Sequence, residues 1–139
     1  MRDMSKLSKT KPTKTKVKDK TILIIEDDRF VSGMYADKLI SVGFKVHSAF
    51  DGEAGLNLAL ANHPDIILLD VMLPIIDGFE VLRRLKSNKE LASVPVIILS
   101  NLGDPEQVKT GLKLGASDYM IKAYFVPSEV LAHIQALVK

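Results

Sequence analysis

Three observations predict an α/β fold with a doubly wound, five-stranded parallel sheet and helices on both faces. Short apolar runs alternate with longer helical stretches from Thr21 to the end of the chain, the signature of repeated strand–helix units. The run Ile66-Ile67-Leu68-Leu69 is apolar throughout, as a strand covered on both faces should be. The runs also deliver polar groups at their exits: Glu26, Asp27 and Asp28 after the first, Asp70 after the third, Ser100 and Lys122 after the later ones. In an open parallel sheet these groups meet at the carboxyl edge, where such sheets hold ligands.

The elements follow in order. Strand one covers about 21–26. Helix one, about 29–42, places Phe30, Tyr35, Leu39 and Ile40 near one face and stops at Gly43. Phe44 to Ser48 alternates enough to suggest an edge strand, and residues 52–62 form a helix ended by the His63-Pro64 boundary. Ile66 to Asp70 is strand three. After a loop over 71–76, Asp77 is a candidate N-cap for a helix to about Lys86, with Phe79, Val81, Leu82 and Leu85 as its apolar stripe. Strand four covers about 94–100. A helix from Asp104-Pro105 to Leu114 closes at Gly115, a suitable C′ residue. Strand five covers about 118–121, and the last helix starts at Pro127 and runs through Val130, Leu131, Ile134 and Leu137.

At 139 residues the chain accommodates one domain with a real core rather than two. No apolar run approaches a membrane span, no hydrophobic signal core opens the sequence, and cysteine is absent. A cytoplasmic location is therefore expected, and disulfides and thiolate metal sites are excluded. The net charge of +2 hides an asymmetry: residues 1–20 carry eight Lys/Arg against Asp3 and Asp19. This basic tail is expected to be disordered, while the body, 21–139, is mildly acidic. The tail is either a solubilising leader or an electrostatic tether to nucleic acid or anionic lipid. It has no aromatic residues for base stacking. His47, His63 and His133 share no metal-binding spacing and are expected at the surface or at helix ends.

A carboxylate at Asp70, an acidic cradle at Glu26 and Asp27, a hydroxyl at Ser100 and an ammonium at Lys122 sharing one pocket point to phosphoryl chemistry. Each has a plainer reading: strand-end surface charge for the acids and Lys122, an N-cap for Ser100, an ordinary strand tyrosine for Tyr119. The segments ILIIEDD, PDIILLDVMLPIIDGFEVLRRLK, VPVIILSN and GLKLGASDYMIKA, in that order, resemble the receiver domain of two-component response regulators over 21–139. The resemblance implies the flavodoxin-like strand order 2-1-3-4-5. It identifies Asp70 with the phosphorylated aspartate and Glu26 and Asp27 with the acidic pair. It implies Mg²⁺ held by Asp27, Asp70 and the Met72 carbonyl, with Glu26 acting through water. Lys122 matches the lysine that stabilises the phosphoryl group, Ser100 the switch hydroxyl and Tyr119 the aromatic coupled to it. Asp28 is expected to be a loop or first-turn carboxylate rather than a ligand.

Departures from the family pattern are local. Ala123 stands where the family usually has proline, so the Lys122–Ala123 bond is either trans, shifting Lys122, or bears the cost of a cis non-proline bond, about 2.5–4 kcal/mol. Asn101 is larger than the family's usual small residue and is expected to narrow access to the phosphoryl group. Met72 and Leu102 offer no polar side chain to orient an attacking water, which predicts a long-lived phosphoryl-aspartate.

The implied function is a stand-alone phosphoacceptor switch, not a turnover enzyme. It is loaded by a histidine kinase or histidine phosphotransfer protein and read by an unknown output protein on the face of the fourth helix, fifth strand and fifth helix, roughly 104–138. The chain's end soon after the last helix is read as leaving no room for an output domain. Two alternatives carry different expectations. A receiver-regulated tether would place nucleic-acid or membrane contact in the tail. A phosphatase with Asp70 as nucleophile would want an acid two residues on, where Met72 stands. A flavin carrier of the same topology would want a Ser/Thr/Gly-rich phosphate loop where this chain has Glu26-Asp27-Asp28-Arg29.

Overall fold

The computed structural model describes residues 19–138; apart from Asp19 and Lys20, the tail expected over 1–20 lies outside the described residues. The elements are β1 (Thr21–Ile25), α1 (Arg29–Ser41), β2 (Lys45–Ala49), α2 (Gly52–Asn62), β3 (Ile66–Leu69), α3 (Gly78–Ser87), β4 (Val96–Ser100), α4 (Pro105–Lys113), β5 (Asp118–Ile121) and α5 (Pro127–Leu137). A single 3-10 turn, Lys122–Tyr124, follows β5. All strand pairs are parallel, in the order β2-β1-β3-β4-β5. The expected doubly wound topology is therefore observed, with β2 at one edge and β5 at the other.

Two-residue alternation along the strands divides the core into two layers. Ile22, Ile24, Ile66, Leu68, Ile97 and Leu99 face α1 and α5, where Tyr35, Leu39, Val130 and Ile134 meet them. Leu23, Ile25, Ile67, Leu69 and Ile98 face the other way, against Ala59 of α2 and Val81, Leu82 and Leu85 of α3. Burying each such Leu or Ile contributes roughly 1.5–3 kcal/mol, so shifting a strand by one residue would expose a whole layer. This penalty locks the register.

Aspartates open three helices. The side chains of Asp28, Asp51 and Asp77 accept hydrogen bonds from first-turn N–H groups of α1, α2 and α3. Asp104 precedes α4 without a side-chain cap bond, and Pro105 supplies a pre-set first residue instead. Gly43 and Gly115 terminate α1 and α4 with φ of 110° and 111°, values that glycine adopts without a Cβ clash.

The structure corrects one sequence expectation. Phe30 and Ile40 do not face the core: they are 81% and 55% exposed. At 100° per residue each lies about 140° around the helix from Tyr35, and the buried face is instead Ser32, Tyr35 and Leu39. Apolar character alone misassigned the stripe. His133 lies within α5 rather than at its end, and its side chain is 42% exposed; its Nδ1 is 2.6 Å from Asp118 Oδ2, and its ring meets Phe125 edge-on. His63 does cap α2 and is exposed.

Candidate functional site

The sheet positions the acids even though its strands end just before them. The Glu26 N–H donates to the Ala49 carbonyl at 3.0 Å and the Asp70 N–H to the Ile25 carbonyl at 3.0 Å. The strand ladder thus extends one residue past β1 and β3 and delivers both side chains to its carboxyl edge. Glu26 and Asp70 are 5% and 6% exposed, and Asp27 is open to solvent. One carboxylate oxygen from each of Glu26, Asp27 and Asp70 lies within 4.8 Å of the others. Asp28 turns away to cap α1, as expected, through 3.0 and 3.1 Å bonds from the Phe30 and Val31 N–H groups.

Lys122 reaches across from the end of β5. Its Nζ is 2.5 Å from Glu26 Oε1 and 3.0 Å from Asp70 Oδ2. Burial penalises the Lys122 ammonium, but the hydrogen bond to Glu26 and the charge of Asp70 outweigh it, and the lysine is held above its ordinary pKa. Burial pushes the Glu26 carboxyl above its ordinary value, with the Asp70 charge adding to the effect, while bonds from Lys122 and the Asp28 N–H oppose it. The pocket therefore carries concentrated negative charge that a single ammonium only partly balances. Its all-oxygen donor set suits a hard divalent cation. All peptide bonds among the described residues are trans, including Lys122–Ala123, and the trans turn still brings Lys122 onto Asp70.

These groups line an open cleft of ≈ 730 Å³ together with Met72, Leu73, Pro74, Phe79, Leu102 and Gln107. Ser100 does not line it. This side chain is fully buried, and its Oγ accepts a 3.2 Å bond from the Leu102 N–H. Tyr119 stands behind it, its hydroxyl donating to the Leu102 carbonyl. Glu26, Asp27, Asp70, Met72 and Lys122 are thus brought together, and Ser100 and Tyr119 form a second layer joined through Leu102. Asn101 is exposed and outside the cleft lining, so it does not narrow the pocket; Leu102 is the residue that borders it.

Two residues of the site went unread in the sequence. Gly78, the first residue of α3, lies so close to the acceptor strand that a Cβ there would sit 2.1 Å from the Asp70 carbonyl oxygen and 2.6 Å from Val71 Cα. Its N–H donates to the Val71 carbonyl at 2.7 Å. A glycine directly after an N-capping aspartate was the available signal. Gln107, on α4, brings an amide to the cleft, and no local pattern distinguishes it from an ordinary helix-surface glutamine.

Comparison with known proteins matches residues 22–135 to the family described as the response regulator receiver domain. The chain is 41% identical over 118 residues to the DNA-binding dual master transcriptional regulator RpaA of Synechocystis, a match covering 85% of this chain and 48% of that protein. It is 36% identical over 118 residues to the response regulator ArlR of Staphylococcus haemolyticus, covering 85% and 52%. The chain thus spans about half the length of these curated relatives. The receiver domain of the Francisella response regulator 1452 superposes with a TM-score of 0.80 at 33% identity, covering 86% of this chain and 96% of that one. Among the described residues, no helix is long and apolar enough to cross a membrane.

Proposed function

This chain belongs to the response-regulator receiver-domain family of two-component systems, and from that membership we propose that it is a phosphoacceptor switch whose acceptor is Asp70. One observation carries the reading: a buried carboxylate at the carboxyl edge of the sheet, with an ammonium at 3.0 Å and two further acids gathered around it. That set serves transfer to an acyl oxygen. The Asp70 carboxylate attacks phosphorus as the bond from phosphorus to the donor histidine nitrogen breaks, and the freed imidazole takes up a proton. Lys122 would follow charge from the carboxylate to the phosphoryl oxygens, and Ser100 would hydrogen-bond the new group after the Leu102 loop moves.

Glu26, Asp27 and Asp70 would hold Mg²⁺, together with the Met72 carbonyl. When bound, the ion screens the repulsion between a carboxylate and an anionic phosphoryl group. Met72, 61% exposed, and Leu102 flank the acceptor without a polar side chain, which supports a long-lived phosphoryl-aspartate. A half-life of seconds after donor removal would refute that lifetime.

The phosphoacceptor domain is assigned to 21–139, outside the basic segment 1–20. The upstream partner is a histidine kinase or histidine phosphotransfer protein, and output runs through the face of α4, β5 and α5. RpaA is a transcriptional regulator by name, and output of that kind is part of the proposal. The test is incubation with acetyl phosphate, with and without Mg²⁺, of wild type and Asp70→Asn. Mg²⁺-dependent gain of one phosphoryl group, absent from the variant, is expected. Equal labelling of Asp70→Asn would overturn the assignment of the acceptor.

A further inference from the structure

Behind the cleft, α4 crosses the ring of Tyr119 at Gly111. This glycine is buried, and a Cβ built on it would lie 2.8 Å from Tyr119 Cδ2, 3.0 Å from Tyr119 Cε2 and 2.7 Å from Ile98 Cδ1. The backbone of Gly111 is ordinary helix, so conformational freedom does not explain the residue. Mid-helix glycine is less stable than alanine, and here its absent side chain leaves room for one aromatic ring. Ile98 could turn its terminal methyl aside. The two ring carbons of Tyr119 belong to a rigid plane and move only if the whole side chain rotates.

Tyr119 is only half-buried and lies on edge strand β5, so rotation about χ1 would carry the ring outwards. Its inward position is held at two points, by the space over Gly111 and by the hydroxyl's bond to the Leu102 carbonyl. Leu102 in turn binds Ser100 Oγ through its N–H and borders the cleft. A continuous line of contacts therefore runs from Gly111 through Tyr119 and Leu102 to Ser100.

We infer that Gly111 is a positioning residue for the switch: by lacking a side chain it keeps Tyr119 inward before any phosphoryl group arrives, so that loading Asp70 has only the Ser100–Leu102 loop left to rearrange. The inference rests on the phosphoacceptor reading for its consequence, but the resting position of the ring does not depend on it. A methyl group at this position would select the outward ring, release the Leu102 carbonyl and make loading draw the ring back against that methyl. A switch displaced this way needs more donor for the same occupancy, because the competent state is a smaller fraction of the population.

The test uses the full chain and acetyl phosphate with Mg²⁺. Tyrosine ring resonances are assigned with Tyr119→Phe, and the nuclear Overhauser contact between the Tyr119 ring and the Gly111 α-protons is followed. In wild type the contact is expected both before and after loading. Gly111→Ala is expected to move the ring signals to solvent-exposed positions and to raise the acetyl phosphate needed for half-maximal loading by about tenfold. In a Tyr119→Ala background the same glycine substitution should change loading less than about twofold, the signature of an effect that acts through the ring. Ile98→Val with Gly111→Ala removes the competing clash at Ile98 Cδ1 and keeps the test available if the single variant folds poorly. The inference fails if the ring stays inward in the Gly111→Ala variant, if the wild-type contact appears only after loading, or if the loading defect survives without Tyr119. Should wild type take up no phosphoryl group, the phosphoacceptor reading falls, and the ring contacts still decide the role of Gly111.

Discussion

The Lys122 ammonium lies 3.0 Å from the Asp70 carboxylate while bonded to Glu26, with the lysine 18% exposed and each acid's side chain 7% exposed. Removing the lysine leaves two buried carboxylates facing each other and Asp27. Lys122→Met is therefore expected to destabilise the fold by about 2 kcal/mol in metal-free buffer, below the range for a fully buried pair because solvent and Asp27 remain nearby. Mg²⁺ should recover more of the melting temperature in this variant than in wild type, since a cation would replace the missing charge. Thermal melts with and without Mg²⁺ measure both. A wild-type-like melt without Mg²⁺ would contradict the electrostatic account of the pocket.

Gly78 packs on the backbone of the acceptor residue, and the 2.1 Å from its ideal Cβ to the Asp70 carbonyl oxygen leaves no space for a methyl group. The obstacle is backbone, which cannot rotate away. Gly78→Ala should cost about 3 kcal/mol, at the upper end of overpacking penalties. It should also lower acetyl phosphate loading at temperatures where the variant is still folded, because relief of the clash must shift Asp70 or α3. Urea titration and loading at low temperature separate the two effects.

Ile75 is a β-branched residue with φ of 73° and 72% of its surface exposed. A non-glycine residue in this region costs roughly 1–2 kcal/mol, and asparagine tolerates it better than others. Little buried area is lost on replacing so exposed a side chain. Ile75→Asn is expected to stabilise the protein by about 0.5–1 kcal/mol, read as a higher urea midpoint at unchanged slope. An unchanged or lower midpoint would show that Ile75 makes contacts worth more than its strain.

Glu80 is bonded by Arg83 and Arg84 on the surface of α3, and the Arg83 and Arg84 guanidinium groups lower its carboxyl from 4.5 to about 2. A folded-state value below the unfolded one means that the ionised carboxylate favours folding. The contribution is complete above pH 4.5 and disappears as pH falls through about 2. The melting-temperature difference between wild type and Glu80→Gln should hold steady above about pH 5 and close between about pH 4.5 and 2. A difference that is constant across that window would mean that the ion pairs do not stabilise the fold.

The candidate site was largely legible because its acids and lysine belong to backbone positions that a parallel sheet must superimpose. Glu26, Asp70 and Lys122 each follow an apolar run, and strands pointing the same way end at the same edge. Helix caps were legible for a similar local reason: Asp77 and Gly115 act on their immediate neighbours. The buried face of α1 was misread, because Phe30 and Ile40 were placed by their apolar character, although the 100° helical period sets both away from the Tyr35 face.

The sequence settled the alternation of strands and helices, the sheet edge that collects charge, and the identity of the residues there, since all of these depend on order along the chain. Tertiary packing decided that Ser100 turns from the cleft towards the Leu102 N–H, that the Lys122–Ala123 bond is trans and still brings the ammonium to Asp70, and that Gly111 of α4 packs against the Tyr119 ring. These outcomes depend on distances between atoms far apart in sequence. Contacts of that kind are set by how two packed layers share space, which no single segment records.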